Sequence, residues 1–284
     1  MTPRKHRPAA ATELPSGESG SSLISNQNLV ALYATMLKCR MLEKRIRAEA
    51  LGRVPRLRGR EAVASGVAIH MLPEDRVQAV DGGRLPEFVQ QLIKQGSMAE
   101  GAIRAVLAQP GDRDGQARNR APWDEALKLA RALKHAKTRN AVALFCERME
   151  APVEALRSAA QEKLPILFVC HNRREKENLA AMAEGCRLPG MVVDCDDAVA
   201  IYRVASEAFT HARRGNGPTL LECRHWPASH NGKNPSRAGS DAVRIMERYL
   251  AGKGLWSREL KKDTVAQFAR ELDSAFARIS NSAR

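Results

Sequence analysis

The segment AVALFC at residues 141–146 is the first of four short apolar segments that decide the fold, followed by ILFVC at 166–170, MVVD at 191–194 and TLLEC at 219–223. Continuous apolar runs without polar alternation are typical of strands that are buried on both faces of a parallel sheet. The segments between them carry helical periodicity, at residues 150–163, 174–184 and 197–213. The pattern therefore predicts an α/β fold with an open, doubly wound, mostly parallel sheet and helices on both faces.

Helices are predicted on both sides of this central region. Apolar residues at three- and four-residue spacing predict a long helix from about Asn28 to Ala50, and small residues predict a second over 61–68. Further helical segments are expected around 85–95, 98–107, 122–136, 241–251 and 263–280. For the last of these, Asp263 or Thr264 is the expected N-cap. Residues 110–120 are polar and rich in Gly and Asp, so an exposed loop is expected there.

Length and composition describe an ordinary globular chain. Its 284 residues fit one large domain, which we place at 23–284, and residues 1–22 lack periodic apolar residues and are expected to form a flexible tail. The six cysteines have no C-x-x-C spacing, so reduced, buried thiols are expected rather than zinc ligation or disulfides. No apolar run approaches the roughly 20 residues of a membrane span, and we expect a soluble, cytoplasmic protein.

The chain is strongly basic, with a formal net charge of +14. Such a field attracts nucleic acid, an anionic membrane or an acidic protein, and charge alone does not choose among them. Arg53, Arg56, Arg58 and Arg60 form a basic run that could grip phosphates. Only 4% of residues are aromatic, which leaves little for base stacking and argues against a nucleic-acid binder. A solvated basic face, or an arginine-rich contact with an acidic partner subunit, is the better interpretation.

Because the strands are predicted to be parallel, the residues that follow them are the first candidates for a site. They are Cys146-Glu147-Arg148, Cys170-His171-Asn172-Arg173, Asp194-Cys195-Asp196-Asp197 and Arg224-His225-Trp226. The acidic residues 194–197 are of a type that binds cations. His171 could act in acid–base chemistry, but a hydrogen-bonded surface histidine is the favoured interpretation.

Several motifs resemble one enzyme family, the alpha subunits of thiamine-diphosphate-dependent 2-oxo acid dehydrogenases. The helix from Leu29 with Tyr33 and Arg40, followed by Gly59-Arg60-Glu61-Ala62, is similar to the opening of those subunits. LPILFVCHN at 164–172 resembles a family strand that ends in Cys-Glu-Asn-Asn. PGMVVDCDD at 189–197 and GNGPTLLE at 215–222 resemble the family's Pro-Gly-x-x-Val-Asp-Gly-Asn-Asp and Gly-x-Gly-Pro-x-Leu-Ile-Glu. The resemblance implies that Asp196 or Asp197 caps the next helix, which is favoured over cation binding. The likeness spans about 25 to 282.

The resemblance implies the thiamine-diphosphate-binding fold and a chain that pairs with a beta-type dehydrogenase subunit. It implies thiamine diphosphate and Mg²⁺ as cofactors, oxidative decarboxylation of a 2-oxo acid as the reaction, and a homodimer or alpha2beta2 heterotetramer as the assembly. The protein part of that chemistry is to orient the cofactor and to supply its electrostatics.

The family's cofactor motifs match this sequence only in part. Glu147 stands where the family has the metal-binding carboxylate of Gly-Asp-Gly, but Arg148 replaces a glycine. Asn172 matches the first asparagine of the Asn-Asn pair, and Arg173, which has no acceptor atom, replaces the second. His230 matches the histidine of the family's late Arg-Gly-His-Ser loop.

Two further signatures are replaced. Residues 80–84 stand where the family has Tyr-Arg-x-His-Gly, and the shortened loop 110–121 has no counterpart of Gly-Ser-Met-His. The sequence thus predicts a dehydrogenase alpha-subunit-like protein with Glu147 and Asn172 as vestigial cofactor positions, Glu147 as a metal position and His230 as a catalytic position. Weak or absent catalysis is expected. The alternatives are a non-catalytic, partner-binding paralogue, an active enzyme whose partner supplies most of the site, and a basic polyanion binder.

Overall fold

The computed structural model describes residues 24–48, 60–79, 92, 96, 121–146, 153–172, 177–224 and 241–282. The helices are α1 (Asn26–Ala48), α2 (Glu61–Ala68), α3 (Ala121–His135), α4 (Val153–Gln161), α5 (Leu179–Gly185), α6 (Ala198–Arg213), α7 (Ala242–Gly252) and α8 (Arg258–Ser282). The strands are β1 (Arg76–Ala79), β2 (Val142–Cys146), β3 (Ile166–Asn172), β4 (Gly190–Asp194) and β5 (Thr219–Arg224). Segments 1–22, 80–90, 98–107 and 110–120, on which the sequence made predictions, lie outside the described residues.

The described strands form one parallel sheet in the order β1-β2-β3-β5-β4. The four strands predicted from apolar runs are all present, and the predicted α/β class with a mostly parallel sheet is confirmed. Strand β1 was not predicted, because Arg76-Val77-Gln78-Ala79 contains no apolar run. Its position is set by long-range bonds instead: the buried Asp75 carboxylate just before it accepts hydrogen bonds from the Ala141 backbone N–H at 2.7 Å and from Arg213 at 2.5 Å.

Alternate strand residues divide the core between the two faces of the sheet. One face carries Ala143, Phe145, Leu167, Val169 and Leu221, which pack against helices α1, α2, α6, α7 and α8. The other carries Val142, Leu144, Ile166, Phe168 and Leu220, which pack against α3, α4 and α5. The fold therefore has three layers, as expected for buried parallel strands that read as unbroken apolar runs.

The helix predictions that fall on described residues hold, with one correction at the chain's end. The helices expected from about 28, 61, 122 and 241 are all present. Helix α8 begins at Arg258 rather than near 263, so Asp263 and Thr264 lie inside it and neither is its N-cap. The Ser257 hydroxyl takes that position and accepts a hydrogen bond from the Leu260 N–H at 3.0 Å. In the described part of the chain, no helix is both long enough and apolar enough to cross a membrane.

Candidate active site

The candidate site lies at the carboxyl edge of the sheet, between β3 and β5. After β2 and β3 the chain passes to α4 and α5 on one face, whereas after β4 it passes to α6 on the other. The first described helix after β5, α7, also lies on that second face. Neighbouring strands β3 and β5 thus send the chain to opposite faces, and in open α/β sheets a ligand crevice forms at such a point.

A buried carboxylate, Glu222 of β5, organises this edge. Its side chain has 0% exposure, although Glu222 lies within an otherwise apolar strand. The Asn172 amide donates a hydrogen bond to Glu222 Oε1 at 2.6 Å, and Arg224 Nε donates to the same oxygen. The Ala180 backbone N–H donates to Oε2 at 2.9 Å. Both oxygens of the carboxylate are therefore occupied by N–H donors, as burial of a charge requires.

The same group of residues fixes the start of helix α5. The Asn172 amide and Arg224 Nη2 both donate to the Glu177 carbonyl, at 2.9 and 2.6 Å. The Asn178 side chain caps the helix by accepting from the Ala181 N–H at 2.9 Å. A negative charge at a helix N-terminus is stabilised by the helix dipole, which adds to the hydrogen bond that Glu222 accepts there. We call Asn172, Glu222, Arg224 and the Glu177 carbonyl the strand-end network.

Of the three predicted site residues, the structure describes only Asn172. It lies at the end of β3, is buried, and is paired in register with Arg224 of β5. Glu147 and His230, together with Arg148 and Arg173, lie outside the described residues. The predicted surface position of His171 is wrong, because this residue belongs to β3 and is buried at the same edge.

The acidic residues after β4 cap the next helix. Asp197 Oδ1 accepts from the Val199 and Ala200 backbone N–H groups at 3.1 and 2.9 Å. Asp194 Oδ1 accepts from the Asp196 N–H at 3.0 Å, which closes the turn that leads into α6. The predicted capping role is therefore confirmed, and it belongs to Asp197.

A second ionic cluster lies on the other face of the sheet. Arg40 of α1 pairs with the buried carboxylate of Glu61 of α2 and with Asp241, 2.7 Å away at Oδ1. Asp241 is the N-cap of α7 and accepts from the Val243 N–H at 3.0 Å. We call Arg40, Glu61 and Asp241 the helix-face triad. It joins three helices, and Asp241 directly follows the segment 225–240 that contains His230.

Burial governs the ionisation of the triad. Desolvation raises the pKa of the Glu61 carboxyl above its ordinary value, and the opposing positive charge of Arg40 only partly offsets this effect. At Asp241 burial also acts to raise the pKa, but the hydrogen bond and charge of Arg40 outweigh it, so that its pKa is lowered. The two carboxyls thus respond to Arg40 with opposite net shifts, because Glu61 is the more deeply buried of the two.

Comparison with known proteins shows that the chain is similar to dehydrogenase subunits. A family model described as "Dehydrogenase E1 component" matches residues 151–283. The 2-oxoisovalerate dehydrogenase subunit alpha of Bacillus subtilis (strain 168) is 26% identical over 314 residues, covering 91% of this chain and 92% of the relative. The pyruvate dehydrogenase E1 component subunit alpha of Staphylococcus aureus (strain MW2) is 29% identical over 152 residues, covering 45% of this chain and 41% of the relative.

The chain is thus similar to dehydrogenase E1 alpha subunits, with the family-model match confined to its second half. The resemblance deduced from the motifs is thereby confirmed, and the parallel α/β sheet agrees with the fold that it implied. The family-model match covers β3, β4 and β5 and hence the whole strand-end network.

The strand-end network of this E1 alpha-like chain does not fit a divalent cation. A hard cation such as Mg²⁺ requires oxygen ligands with free lone pairs in octahedral array. Glu222 already accepts hydrogen bonds at both oxygens, and the guanidinium of Arg224 places a positive charge beside it. Asn172 turns its amide nitrogen, which is a donor, toward Glu222. The described residues of the network therefore neutralise one another through hydrogen bonds and are not arranged as metal ligands.

Sequence reasoning missed the role of Glu222, although a signal was present. A glutamate in the middle of TLLEC at 219–223 is a charge inside a strand that is otherwise apolar. Since a buried carboxylate needs donors, Glu222 implied partners elsewhere in the chain. The identity of those partners could not be read from the sequence, because Ala180 and Asn172 are 42 and 50 residues away.

Proposed function

We propose that this chain is an alpha-type subunit of the 2-oxo acid dehydrogenase class that retains the fold and partner pairing but has weak or no catalysis of its own. Its partner would be a beta-type subunit in an alpha2beta2 assembly, and without that partner the chain would form a homodimer. We place this dehydrogenase-like unit at residues 23–284, in the cytoplasm. The observation that carries the proposal is the strand-end network, in which N–H donors occupy both oxygens of Glu222.

Sequence positions around the network support the same interpretation. Arg173 follows Asn172 directly and stands where the resemblance calls for a second metal-binding asparagine. Arg148 follows Glu147 and stands where it calls for glycine. An arginine cannot ligate a cation and repels one at short range. We therefore propose that Glu147 and Asn172 are vestigial cofactor positions.

An active enzyme is the competing proposal. In that case thiamine diphosphate and Mg²⁺ would bind where the alpha and beta chains meet, with Glu147 and Asn172 on the metal and His230 near the substrate. It is supported by the Bacillus subtilis relative, which is named a dehydrogenase subunit alpha and is matched over 92% of its length. It requires the partner chain to supply most of the missing ligands.

Calorimetric titration of thiamine diphosphate with Mg²⁺ separates the two proposals. The titration is made into the purified full chain, and then into the chain mixed with a co-purifying beta-type subunit. We expect no saturable heat near micromolar cofactor in either sample. Saturable, magnesium-dependent binding in the mixed sample would overturn the proposal, and Glu147→Ala would then test whether this carboxylate is the ligand.

A restoring variant sharpens the test. Arg148→Gly combined with Arg173→Asn returns the two positions to the residues of the resembled motif. We expect this double variant to give saturable, magnesium-dependent heat at cofactor concentrations where the natural chain gives none, which corresponds to at least tenfold tighter binding, or about 1.4 kcal/mol. Arg187→Asn is the matched control, because it also removes an arginine charge but lies before β4, at the opposite edge of the sheet, in a left-handed backbone (φ 63°) that asparagine tolerates.

A further inference from the structure

Two thiols lie side by side at the carboxyl edge of the sheet. Cys146 ends β2 and Cys170 lies on β3, and the two residues are paired in register on neighbouring strands. Their Sγ atoms are 2.6 Å apart. Both side chains point to the face covered by α3, α4 and α5, and the residues have 2% and 0% exposure. The other four cysteines are also buried.

We propose that Cys146 and Cys170 form a reversible disulfide that joins β2 to β3 at the candidate site. Neighbouring strands lie about 4.8 Å apart, which is inside the roughly 4.4–6.8 Å range of Cα separations that a disulfide spans. The in-register pairing therefore allows the bond with little backbone movement. The bond would lie one residue before Glu147 and two residues before Asn172.

The reaction is a two-electron oxidation, and hydrogen peroxide is the oxidant that we name for it. One sulfur attacks a peroxide oxygen, the O–O bond breaks, and a sulfenic acid and a first water form. The second sulfur then attacks the sulfenic sulfur, the S–S bond forms and a second water leaves. Two thiols and one peroxide thus give one disulfide and two waters. A dithiol reductant reverses the step by thiol–disulfide exchange.

Tryptic mapping identifies the bond without ambiguity. Cleavage after Arg139 and Arg148 releases residues 140–148, which contain only Cys146. Cleavage after Lys163 and Arg173 releases residues 164–173, which contain only Cys170. The full-length chain is reduced, freed of reductant, treated with peroxide, alkylated and digested without reductant. We expect the two peptides to appear as one cross-linked species, the intact chain to lose two hydrogens, and both changes to reverse with dithiothreitol.

Single-cysteine variants complete the test. Cys170→Ser and Cys146→Ser are expected to abolish the cross-link and the loss of two hydrogens, whereas Cys186→Ser, which removes a buried thiol from the same face, is expected to leave both unchanged. The oxidised natural chain is also expected to melt several degrees higher than the reduced chain, because a cross-link constrains the unfolded state. The proposal is overturned if peroxide gives no cross-link in the natural chain, or if it links other cysteines of that chain with equal yield. This criterion does not depend on the variants.

Discussion

Glu222 and Glu61 are two buried carboxylates on opposite faces of one sheet, and they are stabilised in different ways. Each has a side chain with 0% exposure and one arginine partner. Glu222 also accepts from the Asn172 amide and from a backbone N–H at the start of α5, so both of its oxygens are satisfied. Glu61 uses Oε1 for Arg40, while its Oε2 is buried without a hydrogen-bond partner in the described structure.

The surroundings of Glu222 are expected to be rigid, whereas those of Glu61 are expected to respond to pH. A buried carboxylate with hydrogen-bond donors at both oxygens holds its neighbours in one geometry, because movement of a donor leaves an unpaired group in low dielectric. Desolvation by burial raises the pKa of Glu61, because the charge of Arg40 only partly offsets it. The strand-end network is therefore expected to be a fixed element, and the helix-face triad an adjustable one.

The largest expected effect comes from removing the centre of the strand-end network. Glu222→Ala leaves the amide of Asn172 and the guanidinium of Arg224 without their carboxylate. Removing one partner of a buried ion pair costs about 3–5 kcal/mol, and we expect a loss of that size in the free energy of unfolding by urea. Glu184→Ala, an exposed glutamate in α5, is the control and should change stability by less than about 0.5 kcal/mol. Equal effects of the two variants would show that the network does not stabilise the fold.

Gly190 and Gly66 lie where the backbone packs closely against a neighbouring helix, one on each face of the sheet. A Cβ added at Gly190 would lie 2.3 Å from the Ala180 carbonyl oxygen, in the helix that Glu222 holds. A Cβ at Gly66 would lie 2.7 Å from a methyl group of Ile201, and alanine there recovers about 1 kcal/mol of helix propensity. We expect Gly190→Ala to cost about 1–3 kcal/mol in thermal or urea unfolding, and Gly66→Ala to cost less.

The reverse order of these two costs would contradict the view that the α5 face is the more rigid one. Gly185→Ala is the control, since a Cβ at the end of α5 meets no atom within 4 Å. It should be neutral or slightly stabilising, by up to about 1 kcal/mol.

Loss of the N-cap of α6, on the same face of the sheet as the helix-face triad, is expected to have an intermediate effect on stability. Asp197→Ala removes the acceptor for the Val199 and Ala200 N–H groups at the start of α6. Loss of such a cap costs about 1 kcal/mol, which corresponds to a fall of about 2–4 °C in Tm. Asp263→Ala is the matched control, because the structure places this exposed residue inside α8 and not at its start. A larger fall for Asp263→Ala would restore the capping role that the sequence first suggested for it.

The sequence predicts the frame of this molecule better than its polar contacts. Four of the described strands could be read from unbroken apolar runs, because burial on both faces imposes that composition. Strand β1 could not, since a four-residue strand with one large apolar side chain is held by pairing to β2 and by Asp75. Asn172 was selected as a candidate site residue partly from its predicted position at a strand end. The structure confirms that position, and the role in a cofactor site stays a prediction.

The hydrogen bonds of the site join residues that are distant in sequence, so they could not be predicted from the sequence. Glu222 was quoted only as part of a motif, and its donors come from residues 42 and 50 positions away. Likewise Arg40 and Asp241 are 201 residues apart, and no periodicity links them. Local sequence patterns determine a helix or a strand, but the hydrogen-bond partners of a buried charge are determined by which distant segments the fold places next to it.

The smallest effect, and the sharpest contrast between the two carboxylates, is in the pH dependence of stability. The pKa of Glu61 is raised in the folded chain. Between the unfolded and the folded pKa, the folded chain therefore keeps a proton on Glu61 that the unfolded chain has released. Stability from this group is therefore present at low pH and falls as pH rises through the raised folded pKa. Glu61→Gln removes the titration, so its unfolding free energy relative to the natural chain is expected to increase with pH, by less than the effect of Glu222→Ala. Urea unfolding of both chains between pH 4 and pH 8 measures the difference, and an advantage of the natural chain that grows with pH would show that Arg40, and not burial, controls Glu61.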